Sequence, residues 1–270
     1  MAGGPGRPAH RLASGVEMPV LGLGVWQMAQ GRETEQAVEW ALEEGYRHVD
    51  TAALYGNEES VGAAIRRSGL PREEVFVTTK LRPLRLSPAR ELERSLRRLG
   101  LDHVDLYLIH WPLPLGNAWL WRSLETLRER GLAHEVGVSN FGRRRLASLL
   151  RRAGERPAVN QIQFNPFRFR RALLDYCRGQ GIAFEAYSPL ARGQGLDDPA
   201  IAGVAERLDR TPAQVVLRWA VQHGALVIPK SSNRERIREN AGIFDFELGE
   251  DDMRALDALD RTGGSARARG

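Results

Sequence analysis

Four polar residues of different types stand thirty positions apart: Asp50, Lys80, His110 and Asn140. A fifth, Tyr55, follows in "DTAALYGNEESVG", with Gly56 directly after it to let the chain turn. A phenol has a pKa of about 10, too high for ready proton release at neutrality. An adjacent ammonium favours the phenolate, and a carboxylate paired with that ammonium keeps it charged and in place. Asp50, Lys80 and Tyr55 therefore read as a general acid with its tuning partners, an arrangement expected to lower the Tyr55 pKa. His110, in "LIHWP", would add a hydrogen bond to the reacting oxygen. Composition points to the same lysine. Of 39 basic residues only Lys80 and Lys230 are lysines; the rest are arginine. A compact ammonium fits between a buried carboxylate and a phenol, where a planar guanidinium demands more space and more acceptors.

Something must bring residues so far apart in sequence to one level. Eight apolar or β-branched runs alternate with amphipathic helical runs: "PVLGLGVW", "YRHVDTA", "VFVTTKL", "VDLYLIHW", "AHEVGVSN", "AVNQIQFN", "IAFEAYSPL" and "ALVIPKSS". Helix signals between them include Ser87 and Pro88 opening "SPARELERSLRRLG", Gly100 closing it, and Thr211 with Pro212 opening another. Eight such units imply an α/β fold, a (β/α)8 TIM barrel, whose active sites lie at the carboxyl ends of the strands. One unit takes about thirty residues, so the even spacing places the four residues on one rim. A two-domain dinucleotide-binding fold competes, but its glycine fingerprint finds only "GLGVWQ", which lacks the third glycine. The chain reads as a single barrel domain over 1–270, with a flexible 1–9, a hairpin in "HRLASGVEMPV" covering the bottom, a C-terminal helix and a short tail over 262–270.

The net charge of +5 suggests nucleic acid, yet in "GRRRLASLLRR" the leucines recur at helical spacing, which describes the wet face of an amphipathic helix. No nucleic-acid partner is expected. The lone cysteine, Cys177, excludes an intrachain disulfide and fits a reducing compartment. There is no apolar signal segment and no run of about 18 apolar residues, so a soluble cytoplasmic protein without membrane contact is expected. The six histidines form no HxH or HExxH pair, and "GVSNF" lacks the second glycine of a nucleophile elbow. Metal and serine-nucleophile chemistry both fit poorly.

Lys230 ends the last strand, in "VIPKSSNRERIREN". Lys230, Ser231, Ser232, Asn233 and Arg236 around a helix start offer amides, hydroxyls and two cations, a set suited to a phosphate group. By themselves these residues say only "phosphate". A Schiff-base lyase using Lys80 as the amine on a phosphate-binding barrel is a reading they leave open.

The stretches "LGLGVW", "HVDTAALYGNEESVG", "VTTK", "VDLYLIHWP", "VGVSNF", "NQIQFNP", "AYSPL" and "IPKSSNRERIREN", in this order from about His10 to about Arg261, resemble the aldo-keto reductases, in particular the bacterial NADPH-dependent members similar to 2,5-diketo-D-gluconate reductases. The resemblance implies reduction of aldehydes and ketones to alcohols by a monomer. Hydride would come from NADPH, which becomes NADP+, and the proton from Tyr55, with Asp50, Lys80 and His110 completing a tetrad. It implies that Ser139, Asn140 and Gln161 hold the nicotinamide carboxamide, Tyr187 stacks on the ring, and Ser188 and Leu190 line the pyrophosphate path. Lys230, Ser231 and Arg236 would grip the 2′-phosphate, and Glu239 and Asn240 the adenine. A non-catalytic NADPH-sensing module on the same fold is the remaining alternative. On the substrate side "LRPLRLSP" lacks the aromatic wall that many relatives have, and the loop "PLPLGNAWLW" and the tail are short. Trp26 and Trp111 remain as apolar walls of an open site for a small carbonyl substrate such as an aldehyde, dicarbonyl or sugar-derived ketone. Arg236→Ala is expected to weaken NADPH binding much more than NADH binding; equal losses in fluorescence titrations with the two dinucleotides would contradict the 2′-phosphate role.

Overall fold

The computed structural model describes residues 8–83 and 87–262. Residues 1–7 of the expected flexible start, the middle of "LRPLRLSP" and nearly all of the tail lie outside the described residues, while Ala9, expected to be flexible, pairs in the first strand. The strands are β1 (Ala9–Arg11), β2 (Glu17–Pro19), β3 (Leu23–Gly24), β4 (His48–Asp50), β5 (Phe76–Leu81), β6 (Val104–Ile109), β7 (Ala133–Ser139), β8 (Val159–Gln163), β9 (Ala183–Tyr187) and β10 (Leu226–Ile228). The α-helices are α1 (Arg32–Glu43), α2 (Glu58–Arg67), α3 (Pro88–Leu99), α4 (Asn117–Glu129), α5 (Arg143–Leu150), α6 (Arg171–Gly179), α7 (Pro199–Leu208), α8 (Pro212–Gln222), α9 (Arg234–Ala241) and α10 (Glu250–Asp257). No described helix is long and apolar enough to cross a membrane.

Strands β3 to β10 form one parallel sheet in sequential order. Its two ends are joined by a bridge between Leu21 and Val227 and by bonds from Gly22 N to Val227 O (2.9 Å) and from Gly24 N to Pro229 O (3.1 Å). This is the expected (β/α)8 barrel. The first strand is much shorter than the run 19–26 expected for it. Pro19 belongs to the hairpin instead, where it pairs with Ala9. At the seam the backbone of β3 and the residue before it approaches its neighbours closely: a Cβ on Gly22 would lie 2.5 Å from His48 Nδ1, and one on Gly24 would lie 2.9 Å from Ile228 O.

Alternation along each strand sorts the side chains into two cores. Phe76, Leu106, Leu108, Val159, Ala183 and Leu226 cluster inside the barrel with Leu12 and Met18, so the hairpin plugs the bottom as expected. Val49, Val77, Leu81, Tyr107, Val136, Ile162 and Phe184 face the helices in the larger cluster. Continuing the inward register up each strand from the bottom layer reaches Asp50, Lys80, His110, Ser139, Gln161 and Tyr187. In α5 the buried positions are Leu146 and Leu149, while the arginines of "GRRRLASLLRR" stay on the outer side. Cys177 is buried in α6 between leucines, and burial pushes its thiol up to about 11.

The helix ends follow their sequence signals in part. Thr211 caps α8 in a capping box with Gln214, and Gly100 closes α3 in the left-handed region at φ 65°. Ser87 stands at the start of α3 but its side chain makes no capping bond. Helices α2 and α3 pack so closely that a Cβ on Gly62 would lie 1.8 Å from the Leu99 carbonyl oxygen. Backbone cannot yield as a side-chain tip can, so Gly62→Ala is expected to destabilise the fold by about 2–3 kcal/mol in urea unfolding. An unchanged midpoint would show that the two helices slide apart freely.

Candidate active site

Lys80 is fully buried, and its ammonium donates to three oxygens: Asp50 Oδ1 at 2.6 Å, the Thr51 carbonyl at 2.9 Å and Tyr55 Oη at 3.3 Å. Three donors meet three acceptors, so the shell has no place for the five donors of a guanidinium. Burial, the largest single influence, would lower the Lys80 pKa, but the Asp50 charge and hydrogen bond together with the oxygens of Tyr55 and Glu185 outweigh it, and the net direction is upward. Lys80 is therefore a held cation, which the Schiff-base reading does not fit: an amine nucleophile needs a free lone pair.

Tyr55 reaches this ammonium because the chain turns after β4, where Tyr55 N bonds to Ala52 O and Gly56 adopts φ 72°. Buried Asn57 ties this turn down. It donates to the carbonyls of Val25 and Met28 and accepts from Thr51 Oγ1 at 2.9 Å, linking the loops that carry Tyr55 and Trp26. Since Tyr55 Oη accepts from Lys80, its own proton is left for another acceptor. Its pKa does not fall below that of an ordinary phenol, as expected from the sequence. Burial raises it, Lys80 pulls it back, and burial prevails. The sequence shows the ammonium but not the loss of solvent.

His110 directly follows β6, with its ring 5.7 Å from that of Tyr55 between centroids. Burial and then Lys80 push its pKa down to about 3, so the imidazole is neutral. Asn140 is not a strand residue like Asp50 and Lys80. The inward residue ending β7 is Ser139, and Asn140 enters the cleft through a left-handed turn at φ 64°. Its Nδ2 donates to the His110 carbonyl and to Ser139 Oγ, both at 3.0 Å, and its Oδ1 accepts from Tyr187 Oη at 2.9 Å. Gln161 Nε2 donates to Asp50 Oδ2 and to Glu185 Oε2, both at 2.7 Å. Both amide hydrogens are thus consumed inside the barrel, and only the oxygen is left to meet a group in the cleft.

A cleft of about 1040 Å³ runs from Asp50, Tyr55 and His110, past Ser139, Asn140, Gln161, Tyr187, Ser188 and Leu190, to Lys230, Ser231, Ser232, Arg236, Glu239 and Asn240. The sequence-expected residues therefore line one continuous surface with two ends, except Lys80, which lies buried beneath it. At the far end Asn233 Oδ1 caps α9 by accepting from Arg236 N at 2.9 Å, which removes that amide from the expected phosphate donors. Lys230 and Arg236 make no ion pair among the described residues, and Lys230 Nζ lies 3.5 Å from Ser232 Oγ. Glu239 is bonded to Thr211 Oγ1 at the start of α8. Two cations without an ion pair among the described residues, with hydroxyls and the neighbouring Glu33 carboxylate, stand at one end, and polar groups beside a buried acid at the other; the set fits a dinucleotide with an extra phosphate. Trp26 and Trp111 are 37% and 50% exposed at the mouth, so both stand as open walls. Sequence reasoning missed Arg192, whose guanidinium lies 4.6 Å over the Trp26 ring, as well as exposed Leu54 and buried Glu185. It also missed a group at the bottom of the barrel, where His103, Asp105 and His134 bring ligand atoms within 4.8 Å of one another. There the Asp105 carboxylate is already held by Arg72 and Val77 N.

The sequence profile of the Aldo/keto reductase family matches residues 20–261. The chain is 48% identical over 254 residues to a glyoxal reductase of Bacillus subtilis, covering 93% of this chain and 92% of that one. It is 46% identical over 259 residues to a methylglyoxal reductase of Yersinia pestis, with 94% and 93% covered. A solved aldo-keto reductase of Bombyx mori in complex with NADP superposes with a TM-score of 0.88 at 35% identity, covering 94% of this chain and 93% of that one. The chain belongs to the aldo/keto reductase family. It is an NADP-dependent oxidoreductase acting on carbonyl compounds, so the sensing-module alternative falls away.

Proposed function

We propose that this enzyme reduces small aldehydes and α-dicarbonyls to alcohols, with Tyr55 as the proton donor. The observation that carries the reading is the Lys80 ammonium, fully buried and bonded at once to Asp50 and to the Tyr55 oxygen. NADPH, when bound, supplies the hydride. As negative charge grows on the carbonyl oxygen, the Tyr55 hydroxyl gives it the proton that Lys80 leaves unengaged. The phenolate that results stands 3.3 Å from the fully buried Lys80 ammonium, which stabilises it. Neutral His110 offers the same oxygen a hydrogen bond without competing for the proton. Asp50 takes no proton and serves to hold Lys80 in place and charged.

For the cofactor, Ser139, Asn140 and Gln161 are assigned to the carboxamide. Gln161 serves as an acceptor only, because its hydrogens are committed to Asp50 and Glu185. Tyr187, fixed by its bond to Asn140, presents its ring to the nicotinamide. Ser188 and Leu190 follow the pyrophosphate; Lys230, Ser231, Ser232 and Arg236 take the 2′-phosphate; Glu239 and Asn240 face the adenine. Small dicarbonyls are favoured by the open mouth between Trp26 and Trp111 and by the likeness to the glyoxal and methylglyoxal reductases. One barrel carries every residue in this assignment, in keeping with a single-domain enzyme able to act as a monomer.

The test follows NADPH absorbance over a panel of glyoxal, methylglyoxal, simple aldehydes and ketones with wild type and Tyr55→Phe. Wild type is expected to turn over the dicarbonyls fastest, and Tyr55→Phe to lose at least about 100-fold in kcat while still binding NADPH. Equal rates would remove Tyr55 as the acid, and turnover confined to other carbonyls would overturn the substrate class.

A further inference from the structure

Half-way up the barrel interior, below the proposed catalytic groups, lies a second carboxyl group that the mechanism does not use. Glu185 of β9 is fully buried. Its Oε2 accepts the second hydrogen of Gln161 Nε2 at 2.7 Å, so one amide nitrogen bridges Glu185 and Asp50. Its Oε1 has no hydrogen-bond partner and faces His48 Nδ1 at 3.8 Å, itself without one. His48 is also fully buried, with Nε2 3.0 Å from Thr78 Oγ1, and its ring occupies the space that a side chain on Gly22 would fill. The charged or titratable groups facing Glu185 are Asp50 and His48 from β4 and Lys80 from β5; β8 presents neutral Gln161, and β10 sets Leu226 in register. One ammonium is already matched by Asp50. A second carboxylate there would have no cation of its own.

We propose that Glu185 is a positioning residue that works as a neutral carboxylic acid, holding the Gln161 amide against Asp50, and that losing its proton places an uncompensated negative charge beside the Lys80–Asp50 pair. In this assignment the carboxyl hydrogen belongs to Oε1, which faces the unpartnered His48 Nδ1 across 3.8 Å, and His48 carries its own hydrogen on Nε2, beside Thr78 Oγ1. Burial, and then repulsion from Asp50, raise the Glu185 pKa from 4.5 to about 8, in keeping with this geometry. The added charge would hold Lys80 and Tyr55 more firmly protonated, an effect on turnover that rests on the functional reading above. The proton itself does not.

The native chain keeps a proton that the unfolded chain releases, so Glu185 makes stability fall as pH rises from 4.5 to about 8 and adds no further slope above that. His48 and His110, both pushed down to about 3, act in the opposite sense but only below their ordinary value of 6.5. From about pH 7 to about pH 8 these histidines add no slope, and the difference between wild type and Glu185→Gln there reports Glu185. Urea unfolding in that interval is expected to show stability declining with pH in wild type and level in Glu185→Gln, which keeps an acceptor for Gln161 and offers an N–H to His48. At pH about 7, Glu185→Gln should keep NADPH affinity within about threefold, while Glu185→Leu, which frees the amide, loses about tenfold. Equal pH slopes in wild type and Glu185→Gln, or equal losses of affinity in the two variants, would overturn the proposal. So would a wild-type protein without a protonated-carboxyl infrared band at neutral pH, a result that needs no variant to fold. Turnover retained in Tyr55→Phe would remove the catalytic reading and leave these readouts standing.

Discussion

The site is organised by one ion pair, Lys80 with Asp50, sealed inside the barrel at 2.6 Å. Burying an ammonium costs several kcal/mol unless charge and hydrogen bonds compensate. Here the compensation is complete: a carboxylate, a carbonyl and a phenol take all three donors. Asp50 in turn is held by Gln161, and Gln161 by Glu185. Removing any of these partners would leave a buried polar group uncompensated, so the catalytic geometry and the polar core of the barrel stabilise each other. The strand register is what lets them meet, since Asp50 pairs with Thr78 and Lys80 with Leu108 on successive strands.

Among the groups around Lys80 the charges balance. Lys80 and Asp50 cancel, His48 and His110 are driven neutral by burial, and Glu185 is driven toward its acid form. A site with a single cation and a single anion can place that cation's field on one phenol. Burial makes the Tyr55 proton hard to lose to water, while Lys80 stabilises the phenolate left after transfer to a substrate oxygen. Such a group releases its proton during reaction rather than at rest.

Much of this was legible in the sequence because barrel geometry converts distance along the chain into height in the fold. A thirty-residue interval is one strand-helix unit, so spacing alone puts Asp50, Lys80 and His110 on one rim. The far end of the cleft was legible through Lys230, Ser231 and Arg236 at a helix start. Asn140 comes to the rim by a turn rather than by strand register, and the first strand is shorter than its apolar run because Pro19 at its start pairs in the hairpin instead. Glu185 escaped notice because "IAFEAYSPL" reads as an apolar strand with one acid in it; only the inward alternation shows that the acid points at Gln161. The direction of the Tyr55 shift was misjudged for a related reason, since residue types reveal neighbouring charges but not how much water is lost.

The rarity of lysine allows the central pair to be observed directly. With lysine labelled at the side-chain nitrogen by 15N, the spectrum contains signals from Lys80 and Lys230 alone, and Lys230→Arg assigns them. The expected result is a Lys80 ammonium that persists beyond the ordinary value of 10.5 in wild type and titrates well below it in Asp50→Asn. A Lys80 that is neutral at pH 7 in wild type, or that titrates at the same pH in Asp50→Asn, would contradict the role assigned to the pair.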